Sequence, residues 1–182
     1  MTDPSAPAGP RFSVRLALPR EAADVAAIQA RAWGDAYVDL LPAVVLARLE
    51  SSAHAEWASA IEQPPTVAHH LLVALSDGAV VAFAATGPAD QDDGGPGDVG
   101  SLTILAVDPP RRREGHGSRL LQAVADTLRA DGFTTAICWL PETDTAQQRF
   151  LVEAGWAPDG GGRELDMGPR TMRQVRLHTS LT

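Results

Sequence analysis

Between Val107 and Leu121 the chain reads VDPPRRREGHGSRLL, which sets three arginines and two alternate glycines at the mouth of a leucine-rich helix. That combination suits an anion. The first backbone amides of a helix have no internal acceptor and carry the positive end of the helix dipole. Glycine at 115 and 117 leaves those amides open to a phosphate, and Arg111, Arg112 and Arg113 add charge that can pair with its oxygens. The same residues also make an ordinary tight turn with a solvated arginine run, and the stretch alone does not decide between the two. Two familiar phosphate sites fit poorly: Leu120 stands where a dinucleotide fingerprint needs its third glycine, and a nucleotide P-loop needs a lysine, which the sequence lacks.

Other reactive residue types carry weaker signals. Cys138 lies within the apolar run FTTAICWL and reads as a small buried hydrophobe rather than a nucleophile. His69 and His70 have no carboxylate at ligand spacing, so no metal site is expected. The formal charge of −8 and pI near 5.0 argue against nucleic acid or a membrane surface as partner, so the bound anion is expected to be small. A single cysteine excludes an intramolecular disulfide, and no stretch has the length of a membrane span or the apolar core of a signal peptide. A soluble, cytoplasmic protein is expected.

The elements that must hold the glycine-arginine turn are readable in outline. Residues 1–10 are rich in Pro and Ala and read as a disordered tail ahead of one domain spanning 11–182. RFSVRLAL alternates as a half-buried strand, and PREAADVAAIQARAW carries one apolar helical face. After a bend at GDAYVDLLP, AVVLARLE and SSAHAEWASAIE read as two further helices. HLLVALSDGAVVAFAATGP is a hairpin turning at Asp77 and Gly78, ADQDDGGPGD a mobile acidic loop, and VGSLTILAV a strand buried on both faces. Leu120, Leu121, Val124 and Leu128 stripe the next helix, FTTAICWL is a second buried strand, and the turn therefore sits at the first crossover of a βαβ unit. A short helix, TDTAQQRFLVEAGW, and a terminal hairpin complete the chain.

The turn resembles the acyl-coenzyme A signature of the GNAT superfamily of N-acetyltransferases, carried here by Val107, Pro109, Arg112, Gly115, Gly117, Leu120 and Leu121. The element order from about Phe12 to Leu181 is also similar to that family's. The resemblance implies an α/β (α+β) fold with a mixed, mostly antiparallel central sheet of six to seven strands, a splayed parallel pair and flanking helices. It implies acetyl-CoA as acyl donor, no metal, and an amine of a small molecule or a protein as acceptor. Backbone of Leu105, Ala106 and Val107 would hold the pantetheine arm, and amides across Arg112, Arg113, Glu114, Gly115, His116, Gly117 and Ser118 would hold the pyrophosphate. In such main-chain contacts His116 is a solvent-facing spacer. Asp144 corresponds to an Asn that contacts the cofactor in many members, and Trp33, Asp35 and Tyr37 fall in the loop that lines the acceptor pocket. Members are often dimers, and the terminal hairpin and exposed tryptophans make a homodimer an expected assembly.

Two departures from the family pattern fall on side chains. Ser101 stands where many members have a catalytic Glu, and Leu151 where a Tyr often protonates the leaving thiolate. Ser101 can hold a water but is not itself a strong base. Either a water chain or an acceptor-side group removes the amine proton, or the chain is an acyl-CoA-binding module without efficient transfer. Asp98 and Asp108, near the cofactor strand, read as solvated structural groups, Trp33 and Trp139 as core or pocket wall, and the small Ala106 leaves a longer acyl chain open. Net charge suggests an acidic acceptor pocket.

Overall fold

The computed structural model describes residues 12–37, 43–90, 93, 97–167 and 171–182. The tail at 1–10 and half of the acidic loop lie outside the described residues. Seven strands form one sheet: β1 (Phe12–Leu16), β2 (His70–Ser76), β3 (Ala79–Pro88), β4 (Val99–Val107), β5 (Thr135–Pro141), β6 (Ala157–Asp166) and β7 (Thr171–Ser180). Their spatial order is β1-β2-β3-β4-β5-β7-β6, and every neighbouring pair is antiparallel except β4 with β5. The β2–β3 connection turns at Asp77 and Gly78, both in the left-handed region that such a two-residue turn demands.

Helices cover the two faces unequally. On one face lies α3 (His116–Ala130), whose stripe Leu120, Leu121, Val124 and Leu128 is buried against Leu72, Ala82, Ala84 and Cys138 of the sheet. Burying each such aliphatic side chain stabilises the fold by about 1.5–3 kcal/mol. Beside it α4 (Thr145–Glu153) contributes the fully buried Leu151. The other face carries α1 (Ala22–Tyr37) and α2 (Ala43–Glu62), with Val25, Ile28 and Ala32 packed on Leu71, Val73 and Phe83. Trp57 adds an edge contact to Phe83 at 5.3 Å and donates from its indole nitrogen to Gln29 at 2.6 Å.

Four expectations change. The stretch 43–62 is one continuous helix, because nothing between Glu50 and Ser51 breaks the backbone ladder. Helix α1 runs through Gly34 to Tyr37, so the first four residues of the expected bend GDAYVDLLP are its last turn, and the rest of that stretch lies outside the described residues. The edge strand β1 leaves Phe12 and Leu16 more exposed than their alternation predicts, since the helices cap the interior strands rather than the sheet margin. None of the four tryptophans is exposed, and Trp156 is buried, so they do not supply the open apolar surface expected for a dimer. Among the described residues no helix is long and apolar enough to cross a membrane.

Candidate active site

The glycine-arginine turn leaves β4 through a short 3-10 turn at Pro109–Arg111 and enters α3 at His116. Gly115 is the N-cap with φ +81, a conformation that glycine adopts without strain and that aims the following amides outward. Gly117 lies in the first turn of α3 beside α4 and β4, where an added Cβ would stand in ordinary contact with the Phe150 ring at 3.4 Å and Val107 at 3.5 Å.

The three arginines point three ways. Arg111 pairs with Glu114 and donates to the Ser76 hydroxyl at 2.9 Å, which raises its own pKa and holds the Glu114 carboxyl below the usual carboxylate range. Arg112 reaches across to Asp35 on α1. Arg113 takes φ +69 and forms no ion pair among the described residues. A fourth cation, Arg119, donates to the Glu114 carbonyl at 3.2 Å and lies 4.7 Å over the Phe12 ring. Reading the arginine run alone missed it; the signal was its place four residues after the N-cap, on the helix face that looks back at the turn.

Beside this turn the sheet opens. Strand β4 pairs with β5 only over Val99–Ser101, whereas β5 continues against β7 as far as Pro141. From Leu102 to Val107 the β5-facing edge of β4 therefore has no ladder partner, although it lies in the middle of a sheet. Buried backbone groups do not stay unpaired without a reason. Gln147 of α4 takes one of them, donating from Nε2 to the Leu105 carbonyl at 3.3 Å. On the β3 side the register slips between Ala85 and Thr86, which face Ile104 and Leu102, and this leaves Thr103 as the extra residue of a bulge. A cleft edged by unpaired main chain, ending in a helix N-terminus with arginines around it, can hold an extended amide-bearing ligand that terminates in phosphate.

The sequence profile of the acetyltransferase (GNAT) family matches residues 30–156. The chain belongs to that family. Solved GNAT-type structures share its fold at low identity. The PaiA N-acetyltransferase of Thermoplasma acidophilum, in complex with coenzyme A, superposes with TM-score 0.68 at 10% identity, covering 93% of this chain and 98% of that one. The ribosomal-protein-S18-alanine N-acetyltransferase of Escherichia coli gives TM-score 0.67 at 17% identity, covering 94% of each chain. The ribosomal-protein-alanine N-acetyltransferase of Brucella melitensis gives 0.69 at 20% identity, covering 92% of this chain and 99% of that one. No curated protein matches the chain in sequence.

The remaining positions singled out by the GNAT resemblance fall as follows. Leu105, Ala106 and Val107 lie on the open edge of β4, the Ala106 side chain buried in the α1/α2 core. Ser118 is in the first turn of α3. His116 is not the solvent-facing spacer expected: it is 2% exposed, its Nε2 is 3.1 Å from Glu114, and its ring lies 5.5 Å from that of Phe12. The edge strand β1 and the side chain of Glu114 roof it over. Asp144 caps α4 by accepting from the Gln147 amide at 3.0 Å. Asp108 is structural in an unexpected way, bound through both oxygens to Arg31 at 2.8 and 3.0 Å. Trp33 and Asp35 sit on the last turn of α1, where Asp35 is already paired with Arg112, and Tyr37 is that helix's last residue. Trp139 faces away from α3, its ring near the guanidinium groups of Arg163 at 4.4 Å and Arg176 at 5.5 Å, and its indole donating to Asp93 at 2.9 Å. The groups around Trp139 are mixed in charge.

Proposed function

We propose that the chain is an N-acetyltransferase that carries an acetyl group from acetyl-CoA to a primary amine within a ternary complex. The observation that carries the reading is the splay of β4 from β5 where the glycine-arginine turn begins. Acetyl-CoA would supply the activated acyl group. The open edge at Leu105–Val107 would bind its pantetheine amides, and the amides from Arg112 to Ser118, with Arg113 and Arg119, would hold its pyrophosphate. The Thr103 bulge supplies a main-chain amide suited to a developing oxyanion.

The residues toward the acceptor must then solve a proton problem. An alkyl amine titrates near ~10.4, so at neutral pH it reaches the site protonated and must lose that proton to attack. Ser101 cannot take it alone. The fully buried Leu151 cannot serve as an acid, which leaves the departing thiol, of low basicity, to be protonated from solvent. The two ribosomal-protein alanine acetyltransferases among the fold's neighbours support including a protein N-terminus among the candidate acceptors.

Calorimetric titration with acetyl-CoA, comparing the parent with Gly117→Glu, tests the donor half: binding that the variant abolishes is expected. Thiol release with a panel of primary amines tests transfer. The second reading, an acyl-CoA-binding module, rests on Ser101 and Leu151 at the usual acid-base positions, and it predicts binding with no thiol release from any amine.

A further inference from the structure

On the sheet face that carries α1 and α2, one lateral row crosses the strands at the foot of the splay: Gly87 on β3 pairs with Ser101 on β4, and Ser101 with Ile137 on β5. Because His70 pairs with Thr86, His69 stands beside Gly87 at the start of the same row. Parity confirms the face, since Leu71 and Val73, two and four residues on from His69, pack in the α1/α2 core. The ring of His69 lies flat over the glycine. A Cβ added at Gly87 would meet its Cδ2 at 2.6 Å and its Nε2 at 3.0 Å. Only glycine permits this, and it leaves the imidazole one strand from Ser101 with no side chain between them. The ring is anchored from behind: Nδ1 is 2.8 Å from the Thr66 hydroxyl, and the His69 amide donates to the Thr66 carbonyl at 3.1 Å.

Resting on the acetyltransferase reading above, we propose that His69 is the general base of the reaction, acting on the acceptor nitrogen directly or through a water held by the Ser101 hydroxyl, with Thr66 as its positioning residue. This role places the neutral ring's proton on Nδ1, donated to Thr66 Oγ1 across the 2.8 Å contact, so that Nε2 keeps its lone pair. The ammonium acceptor first gives one proton to Nε2, directly or through the Ser101 water, and His69 passes it to solvent; as the neutral nitrogen then bonds to the acetyl carbon, the carbon–sulfur bond breaks and a second nitrogen proton passes to Nε2. His69 then releases that proton to solvent and the coenzyme sulfur takes one up, so the products are the amide and the free thiol with the enzyme unchanged. An imidazole suits this task because its ordinary titration spans neutral pH. Other titratable groups nearby are accounted for. His70 turns to the opposite face and pairs with Asp131 at 2.9 Å, Glu62 at the end of α2 is exposed, and His178 lies two strands beyond Ser101, across from Ile137.

The test has two arms. Nitrogen-15 NMR of the unliganded protein reads the tautomer: the neutral His69 ring is expected as Nδ1–H, and an Nε2–H tautomer overturns the proposal without any turnover being measured. Kinetics use acetyl-CoA with an alanyl peptide, an amino-acid amide and a diamine as acceptors. His69→Gln is expected to lower kcat by about 10²–10⁴ and erase the acidic limb of the kcat/KM profile, while acetyl-CoA affinity by calorimetry stays within about twofold. Gly87→Ala, which drives the ring off the row, is expected to lower kcat in the same direction with acetyl-CoA binding kept, and His178→Gln to retain both rate and limb. A His69→Gln enzyme with parental rate and profile overturns the assignment and leaves the transferase reading standing. A parent that binds acetyl-CoA and acetylates none of these amines overturns both.

Discussion

Arg112 and Asp35 form an ion pair between the glycine-arginine turn and the last turn of α1, and one helical turn earlier Arg31 grips Asp108 with the polarity reversed. Both pairs span 77 residues of sequence. The glycine-arginine turn is therefore stapled to the end of α1, and one staple uses an arginine of the signature itself.

On the acetyltransferase reading, Asp35 would act on Arg112 as an internal competitor for phosphate. Freeing the guanidinium should favour the coenzyme, so Asp35→Asn is expected to tighten acetyl-CoA binding by about two- to fivefold, the scale of an exposed ion pair. Calorimetry at two salt concentrations checks it, because the gain should shrink as ionic strength rises. Weaker binding in Asp35→Asn would instead show that Asp35 holds Arg112 in its phosphate-binding position.

Gly115 is held at φ +81, where any residue with a Cβ is strained, and an added Cβ would also stand 3.3 Å from Arg119 Nη1. Gly115→Ala is therefore expected to cost about 1–2 kcal/mol. In a domain of this size that lowers Tm by roughly 2–8 °C. Differential scanning calorimetry reads the shift directly, and an unchanged Tm would mean that the turn relaxes out of the left-handed region.

What could be read in the sequence follows from which interactions are local. The stripe at Leu120, Leu121, Val124 and Leu128, the Asp77–Gly78 turn and the glycine-arginine junction are written in consecutive residues, and all three stand where periodicity and turn chemistry put them. Groups whose role depends on a partner far along the chain were not legible. His116 looks like a loop spacer until β1 is laid over it. The charge of Asp35 looks available until Arg112 arrives from 77 residues away. His69 carries no motif at all, because its relation to Ser101 exists only once β2, β3 and β4 are in register and Gly87 is seen to be the gap between them.

Cys138 lies on β5 in the core beneath α3 at 1% exposure, and burial pushes its thiol up to about 12. The thiolate is the reactive form, so the native protein should resist alkylation at neutral pH. Iodoacetamide labelling followed by mass spectrometry is expected to modify Cys138 only as fast as the protein unfolds, with the rate rising in denaturant along the unfolding curve. Rapid labelling in buffer alone would show that β5 opens locally, which would also bear on how rigid the splay is.

Acid should loosen the entry to α1. Glu21, only 6% exposed, accepts from both Arg15 nitrogens and from the Leu18 amide, and the Arg15 guanidinium foremost holds its carboxyl below the usual carboxylate range. A carboxyl whose native pKa lies below its unfolded one binds fewer protons folded than unfolded. Its contribution to stability is therefore complete above the ordinary carboxylate range and is lost as pH falls through the lower native value. Urea unfolding of the parent at a series of pH values from neutral down is expected to show stability falling in that acidic window. Glu21→Gln should be less stable than the parent at neutral pH, should lose less as the pH drops, and should approach the parent at the acid end. A constant difference between the two proteins at every pH would mean that Glu21 acts through packing and not through its charge.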